Sequence, residues 1–361
     1  MSNCCYNCFN DSFLVGKIKL DGKVMKCSLC SERRKCLDIE ALQSIFLPLV
    51  SLYANVEELL PMEMLKDLAG EHPSLAEKVA SDWAIFDDEQ QAARFLELCQ
   101  NNCNYKDDTR DMFDPMRSVD IEDFFYFGEY HKSSSLKDKW SELRQELQES
   151  NRFFAGRTVV KNIEEALNTD AIKMTLKKDV LYRVRATAMN VPYAKTEMGA
   201  PPAGLSTAGR ANPAGIPYLY LASDQDTAIC EVRPHANERL AVGSFRLVRP
   251  VTCIDLRNPD IGSPFQHGDK LHDVLSVIGF LRHLGHELSV PIGNQRRDHE
   301  YLPTQYLCEM IKNLGYDGVA YNSGLGKGYN IALFDPSVAS CVEVKLVQVK
   351  SIIIVTNEFV L

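Results

Sequence analysis

Between residues 38 and about 154, apolar residues recur at three- and four-residue spacing in four stretches: "DIEALQSIFLPLVSLYANVEELL", "PSLAEKVASDWAIF", "EQQAARFLELCQNN" and "LKDKWSELRQELQESNRFF". That period predicts amphipathic helices. A polar run, "CNYKDDTRDMFDPMRS", follows the third. From about residue 155 the period changes. "KDVLYRVRAT", "YLYLAS", "VGSFRLV", "VTCIDL", "DGVAYNS" and "YNIALFD" read as strands, and "CVEVKLVQVKSIIIVTN" as a terminal pair. Helices are expected at "DTAICEVRPH", "HDVLSVIGFLRHLGHEL" and "YLPTQYLCEMIKNLG". Strands outnumber helices and do not alternate regularly with them, which predicts an α+β fold rather than a doubly wound sheet. Near the start, "VGKIKLDGKVMKC" alternates and turns at Asp21-Gly22, a hairpin signal. The pattern therefore suggests three segments: 1–37, 38–154 and 155–361.

Composition sets the class. A chain of 361 residues that is 45% hydrophobic and 25% charged can bury a sizeable core. No apolar run approaches the ~20 residues of a membrane span, and "MSNCCYNCFNDS" lacks the features of a secretory signal. A cytoplasmic protein with reduced thiols is expected. The net charge of -9 argues against a general nucleic-acid binder, although a few local arginines suffice for a nucleotide.

Cysteine usage changes the picture. Cys4, Cys5, Cys8, Cys27, Cys30 and Cys36 all fall in the first tenth of the chain. Cys5-x2-Cys8 and Cys27-x2-Cys30 are two knuckles that can aim four thiolates at one structural zinc, a zinc ribbon. Cys4 could replace Cys5, and Cys36 is the spare. Cys99-x3-Cys103 has no matching second pair and reads as structural. His267, His272, His283, His286 and His299 lack a partner motif and read as surface or packing residues.

The densest chemistry lies in "GRANPAGIPYLYLASDQDTAICEVRPH", residues 209–235. Small residues around Arg210 let backbone approach a ligand and leave the guanidinium free to reach a phosphate. Alternation puts Tyr218 and Tyr220 on one strand face, where a ring can stack on a heterocycle. Glu231, in an apolar run, can bond a ribose hydroxyl or stabilise an oxocarbenium ion. Arginine, ring and glutamate together describe nicotinamide-ribosyl chemistry on NAD. Each also has a plainer use, in an ion pair or in packing. A dinucleotide fingerprint and a P-loop are missing: Gly324-x-Gly326-x-Gly328 leads into a strand rather than a helix.

Over about residues 180–340 the sequence resembles the RES domain family. "LYRVR", "GRANPAGIPYLYLAS", "TAICEVRPH", "YLPTQYLCEMIKNLGYDGVAYNS" and "GYNIALF" occur in the family's order. The resemblance implies a fold similar to the ADP-ribosyltransferase toxins and consumption of NAD as substrate. The reaction implied is phosphorolysis to nicotinamide and ADP-ribose phosphate. Alternatives are mono-ADP-ribosylation of a protein or nucleic acid, and a binding module whose zinc ribbon recognises a partner beside an inert pocket. The family's arginines match Arg183, with Arg185 as second candidate, and Arg210; its tyrosine matches Tyr220, its glutamate Glu231, its serine Ser323, and Asn330 a further position. On this reading Arg183 and Arg210 hold the pyrophosphate, and Tyr220 stacks near the nicotinamide. Glu231 stabilises the cation, and Ser323 fixes the nicotinamide or ribose end. The implied partners are phosphate or a macromolecular acceptor, and an antitoxin or regulatory protein; a homo-oligomer is left open. The chain departs from compact family members in its N-terminal extension and in the longer Glu231–Ser323 spacing. That extension resembles HEPN-like helical regions but lacks the Arg-x4-6-His motif of a HEPN nuclease.

Overall fold

The computed structural model describes residues 2–55, 73–103, 110–120, 136–152, 157–167, 172–177, 179–187, 191–290 and 297–352. Contacts divide the chain into two compact units, one of residues 1–135 and 261–279, the other of residues 136–260 and 280–361. The pattern changes near 37 and 154 thus mark changes of period, while contacts group the cysteine-rich start with the helices that follow it.

In the first unit, β1 (Asn3–Cys5), α1 (Ser12–Asp21), β2 (Lys23–Lys26) and β3 (Arg33–Asp38) build a three-stranded sheet in the order β1-β3-β2. The hairpin expected at Asp21-Gly22 is not there; residues 12–21 are helical. Asp11 caps this helix by accepting from Leu14 N at 2.8 Å, and Leu14 and Ile18, four apart, bury one side of it. Gly22 ends the helix, where a Cβ would collide with the carbonyls of Ile18 and Cys36. The actual hairpin joins β2 to β3, and its turn carries Cys27 and Cys30. Next come α2 (Ile39–Val50), β4 (Ala54–Asn55), α3 (Leu75–Trp83), α4 (Glu89–Asn102) and β5 (Val119–Asp120). Asp38, Ser74 and Asp88 cap the three helices. Phe9, Phe46, Phe86 and Phe95 form the aromatic centre, with Phe46 and Phe95 centroids 4.5 Å apart and Phe265 against Phe46 at 4.7 Å.

The second unit contains α5 (Leu136–Gln145), α6 (Arg157–Leu167), β6 (Lys173–Leu176), β7 (Val180–Ala186), β8 (Leu219–Ala222), α7 (Gln225–Glu231), β9 (Arg239–Leu247) and β10 (Val251–Asp255). Then follow α8 (Leu271–Ser289), whose first half groups with the first unit, α9 (Arg297–Glu300), α10 (Leu302–Asn313), β11 (Gly318–Asn322), β12 (Tyr329–Leu333) and β13 (Ala339–Gln348). One mixed sheet runs β13-β9-β7-β8-β12-β11-β10-β6, antiparallel throughout except for the parallel pair β10–β11. The α+β expectation holds. Of the expected terminal strand pair, the first is β13; residues beyond 352 lie outside the described residues. α7 stops at Glu231, short of the helix read through His235. Arg233 there takes a left-handed φ of 48° and Pro234 follows.

Leu181, Leu219, Leu221, Phe245, Ile331 and Leu333 pack one face of this sheet. Val184, Ala222, Leu240 and Val242 pack the other, against Ala228 of α7. Among these strands, β7 and β8 are paired at one position, Tyr182↔Ala222, while β7 and β9 run in register over seven. The sheet is therefore pinched open between β7 and β8. No described helix is long and apolar enough to cross a membrane.

Candidate active site

At that seam lies a cleft of about 250 Å³. Its lining comes from β7 (Arg183 with Tyr182 and Val184), β8 (Tyr220), the last turn of α7 (Glu231), β11 (Tyr321) and β12 (Asn330). Four of the residues singled out from the sequence thus meet here: Arg183, Tyr220, Glu231 and Asn330. Ser323 joins them through Glu231.

Glu231 is the centre of the group. Its Oε1 accepts from Ser323 Oγ at 2.6 Å and from Asn330 Nδ2 at 2.7 Å. Ser323 Oγ in turn accepts from the backbone of Leu325 at 3.1 Å and Gly326 at 2.8 Å. Both side-chain donors land on one oxygen, which fixes the carboxylate plane and directs neither bond to Oε2. The apolar surroundings expected of Glu231 are present on one side only, since Ala228 is buried while Glu231 itself is exposed.

Arg183 presents the opposite charge. Burial, and then repulsion from Arg185, push its guanidinium down to about 10, so it remains a cation at neutral pH. Its Nη1 is buried without a hydrogen-bond partner. A desolvated, unsatisfied donor on a cation is costly in a folded protein, and an anionic ligand would remove that cost. Arg185, the second candidate, is committed elsewhere. Its Nη1 donates to the carbonyl of Glu197, and its guanidinium lies 5.1 Å from the Tyr193 ring centroid.

Tyr220 is held by its hydroxyl, which donates to Asn212 Oδ1 at 2.7 Å and accepts from Ala211 N at 3.0 Å. Burial pushes this phenol well above its ordinary value, so it stays a neutral hydroxyl. The bonds pin the glycine-arginine loop to β8. Gly209 is required there, because a Cβ would lie 2.7 Å from the Tyr220 hydroxyl. Tyr218 precedes the strand and packs on Phe334, centroids 4.9 Å apart.

Arg210 does not line the cleft. Its Nη1 donates at 2.6 Å to the carbonyl of Leu288, in the last turn of α8. The loop is anchored further by Thr304, which donates to the Arg210 carbonyl at 2.8 Å, and by Gln305, which donates to the Gly209 carbonyl at 2.8 Å. Arg210 still reaches the site electrostatically, by favouring the charged form of the Tyr321 phenol that burial opposes.

Sequence reasoning missed what braces the clamp. Asp224 caps α7 through Thr227 N at 2.8 Å and accepts from the hydroxyls of Thr227 and Ser223 at 2.9 and 2.7 Å. Burial works against its carboxylate, but these bonds outweigh it and hold the group below the usual range. Thr227 Oγ1 accepts from Gly328 N, and Ser223 Oγ from Tyr329 N. A Cβ at Gly328 would overlap Asp224 and Ser223, and one at Gly326 would press on Thr227. These glycines, which fit no dinucleotide fingerprint, let the Ser323 loop close onto the start of the glutamate's helix. The visible signal was the helix-capping spacing in "SDQDT".

A second cluster sits in the first unit. The sulfurs of Cys5, Cys8, Cys27 and Cys30 all lie within 4.8 Å of one another. Cys5–Cys8 and Cys5–Cys30 are 3.6 Å apart and Cys8–Cys27 3.7 Å. A tetrahedral zinc with Zn–S of about 2.3 Å needs sulfurs about 3.8 Å apart, so the donor set fits. Cys5 N also donates to Cys27 Sγ at 3.3 Å, an outer bond suited to a thiolate. Cys4 is outside this group, and Cys36 faces the carbonyls of Met25 and Arg34. Of the histidines, His283 lies 3.3 Å from Glu287, and His267 Nε2 is 2.9 Å from the Ile261 carbonyl.

No curated protein matches the sequence. A solved structure of the M. tuberculosis MbcT–MbcA toxin–antitoxin complex is similar at 13% identity, over 54% of this chain and 93% of that one. Its TM-score is 0.30. The RES domain family matches residues 180–352. Every residue lining the cleft falls inside that span, and residues 180–352 of this chain are a RES domain.

Proposed function

We propose that this protein consumes NAD by breaking the bond between nicotinamide and ribose, with inorganic phosphate as the preferred acceptor. The observation that carries the reading is the pairing, within one cleft, of an arginine whose Nη1 is buried without a hydrogen-bond partner and a carboxylate clamped on one oxygen. Arg183 supplies a desolvated cation for the pyrophosphate. Glu231 Oε2 faces the developing positive charge, while Ser323 and Asn330 keep the carboxylate from rotating away. The C1′–N bond breaks with its electron pair going to nicotinamide, and a phosphate oxygen supplies the new bond to C1′. A loose, cationic transition state of this kind needs orientation and charge stabilisation rather than a covalent nucleophile. Tyr220 positions the loop and offers its ring as a wall. Arg210 acts on the same site from its margin.

Incubating the protein with NAD, with and without phosphate, tests this by product mass. ADP-ribose phosphate plus nicotinamide, formed only with phosphate, is the expected result. A mass increase on a protein or nucleic acid would assign transfer to a macromolecule instead, and intact NAD would mean an inert pocket. A toxin role restrained by a partner protein belongs to the same proposal; growth arrest on expression that Glu231→Gln abolishes would support it.

A further inference from the structure

We infer that the cysteine-rich ribbon is a docking face for single-stranded nucleic acid. The inference is independent of the NAD reading. Between residues 17 and 35 the chain carries seven lysines and arginines against two acids, although the whole chain has a net charge of -9. Positive charge is therefore concentrated where the rest of the molecule is acidic.

The hairpin sorts these charges by face. Lys26 pairs with Arg33, and Val24 with Lys35, so these four side chains share one face and all four are exposed. Met25 pairs with Arg34 and Lys23 with Cys36 on the other face, toward the buried cysteine. On that other face the half-buried Arg34 bonds the Tyr6 side chain, which favours its charge. The outward cations need another explanation, because like charges directly opposite on paired strands destabilise a sheet. Lys26 and Arg33 form such a pair. An anionic ligand would turn that cost into binding.

The face continues into a groove of about 640 Å³ lined by Tyr6, Lys19, Glu32, Arg33, Arg34 and Lys35. Lys19 Nζ sits 4.7 Å from the Tyr6 ring centroid, and Lys35 Nζ rests on the Lys19 carbonyl at 2.6 Å. A ring flanked by cations offers stacking for a base beside charge for its phosphates, the combination that single strands use. An acidic peptide would use the charge but not the ring. RNA and DNA share this chemistry and differ in the 2′-hydroxyl.

The test uses the full chain, loaded with zinc, and fluorescence anisotropy of a labelled RNA of about 20 nucleotides and a DNA of the same sequence, at about 50 and 200 mM salt. Binding to either that weakens with salt is expected. In the double variant Lys26→Gln/Arg33→Gln, affinity should fall about tenfold or more, and the slope of log K against log salt should shrink by about 1.4. Zinc content should be unchanged and Tm no lower, since a repulsive pair has been removed. Lack of wild-type binding at about 50 mM salt would overturn the proposal. So would a variant that keeps zinc and binds equally well, or a labelled polyglutamate that binds more tightly than either strand.

Discussion

Ser323 Oγ donates to Glu231 Oε1 at 2.6 Å, although the two residues are 92 positions apart. The bond joins the loop after β11 to the end of α7, and under the proposed function its carboxylate partner stabilises the cation that forms in the cleft. Removing the hydroxyl while leaving Asn330 in place should loosen the carboxylate without unfolding the site. Ser323→Ala is expected to lower kcat about ten- to a hundredfold, the scale of one hydrogen bond to a charged group. Wild-type kcat in a folded Ser323→Ala protein would show that Asn330 alone holds the glutamate.

Arg183 yields a prediction with two signs. Its guanidinium, pushed down to about 10 by burial, is less favoured as a cation in the folded chain than in the unfolded one. Its desolvation therefore opposes folding below about pH 10, and that opposition fades as pH rises through the folded value toward the unfolded one. Arg183→Met should leave the Tm of the ligand-free protein equal or higher. The same variant should lose the Tm increase that ADP-ribose or pyrophosphate gives the wild type. Thermal melts with and without ligand decide the matter, and a large fall in ligand-free Tm would assign Arg183 a structural role.

Gly328 N donates to Thr227 Oγ1 at 2.9 Å, tying the serine loop to the start of the glutamate's helix. Gly328→Ala would place a methyl group against Asp224 and Ser223. A stability loss of about 1–3 kcal/mol in urea is expected, as for other overpacked sites. NAD turnover should fall with it, although Gly328 does not line the cleft. Unchanged stability would mean that the loop shifts freely.

The cysteine cluster predicts one zinc per chain. Cys27→Ser should lose the metal and unfold the ribbon, because so small a sheet depends on it. Cys4→Ser and Cys36→Ser should retain zinc, since neither sulfur belongs to the group of four. Metal analysis of the three variants is the check; zinc retained by Cys27→Ser would contradict the assignment.

Much of this was legible in the sequence, for reasons of range. Helix and strand periods are local, so α3, α4, β7 and β12 were readable from apolar spacing. The CxxC knuckles were readable because two ligands sit on each short turn. The hairpin at Asp21-Gly22 was misread because alternation in "GKIKLDGK" competes with the four-residue spacing of Leu14 and Ile18, and the cap from Asp11 decides for helix. Glu231 was readable as a residue, but its clamp was not, since Ser323 and Asn330 reach it across the sheet. Arg210 shows the limit most clearly. A glycine-rich loop suggests a free guanidinium, whereas the fold brings the end of α8 within reach, and the side chain bonds the Leu288 carbonyl.

The central claim is that Glu231 stabilises positive charge as nicotinamide leaves, and steady-state NAD consumption by Glu231→Gln tests it most directly. The amide keeps the size of the side chain and can still accept from Ser323 and Asn330, so circular dichroism should be unchanged. The expected result is a kcat lower by two to three orders of magnitude, about 2.7–4 kcal/mol, with KM for NAD nearly unaltered. A folded Glu231→Gln protein that turns over NAD at the wild-type kcat would contradict it.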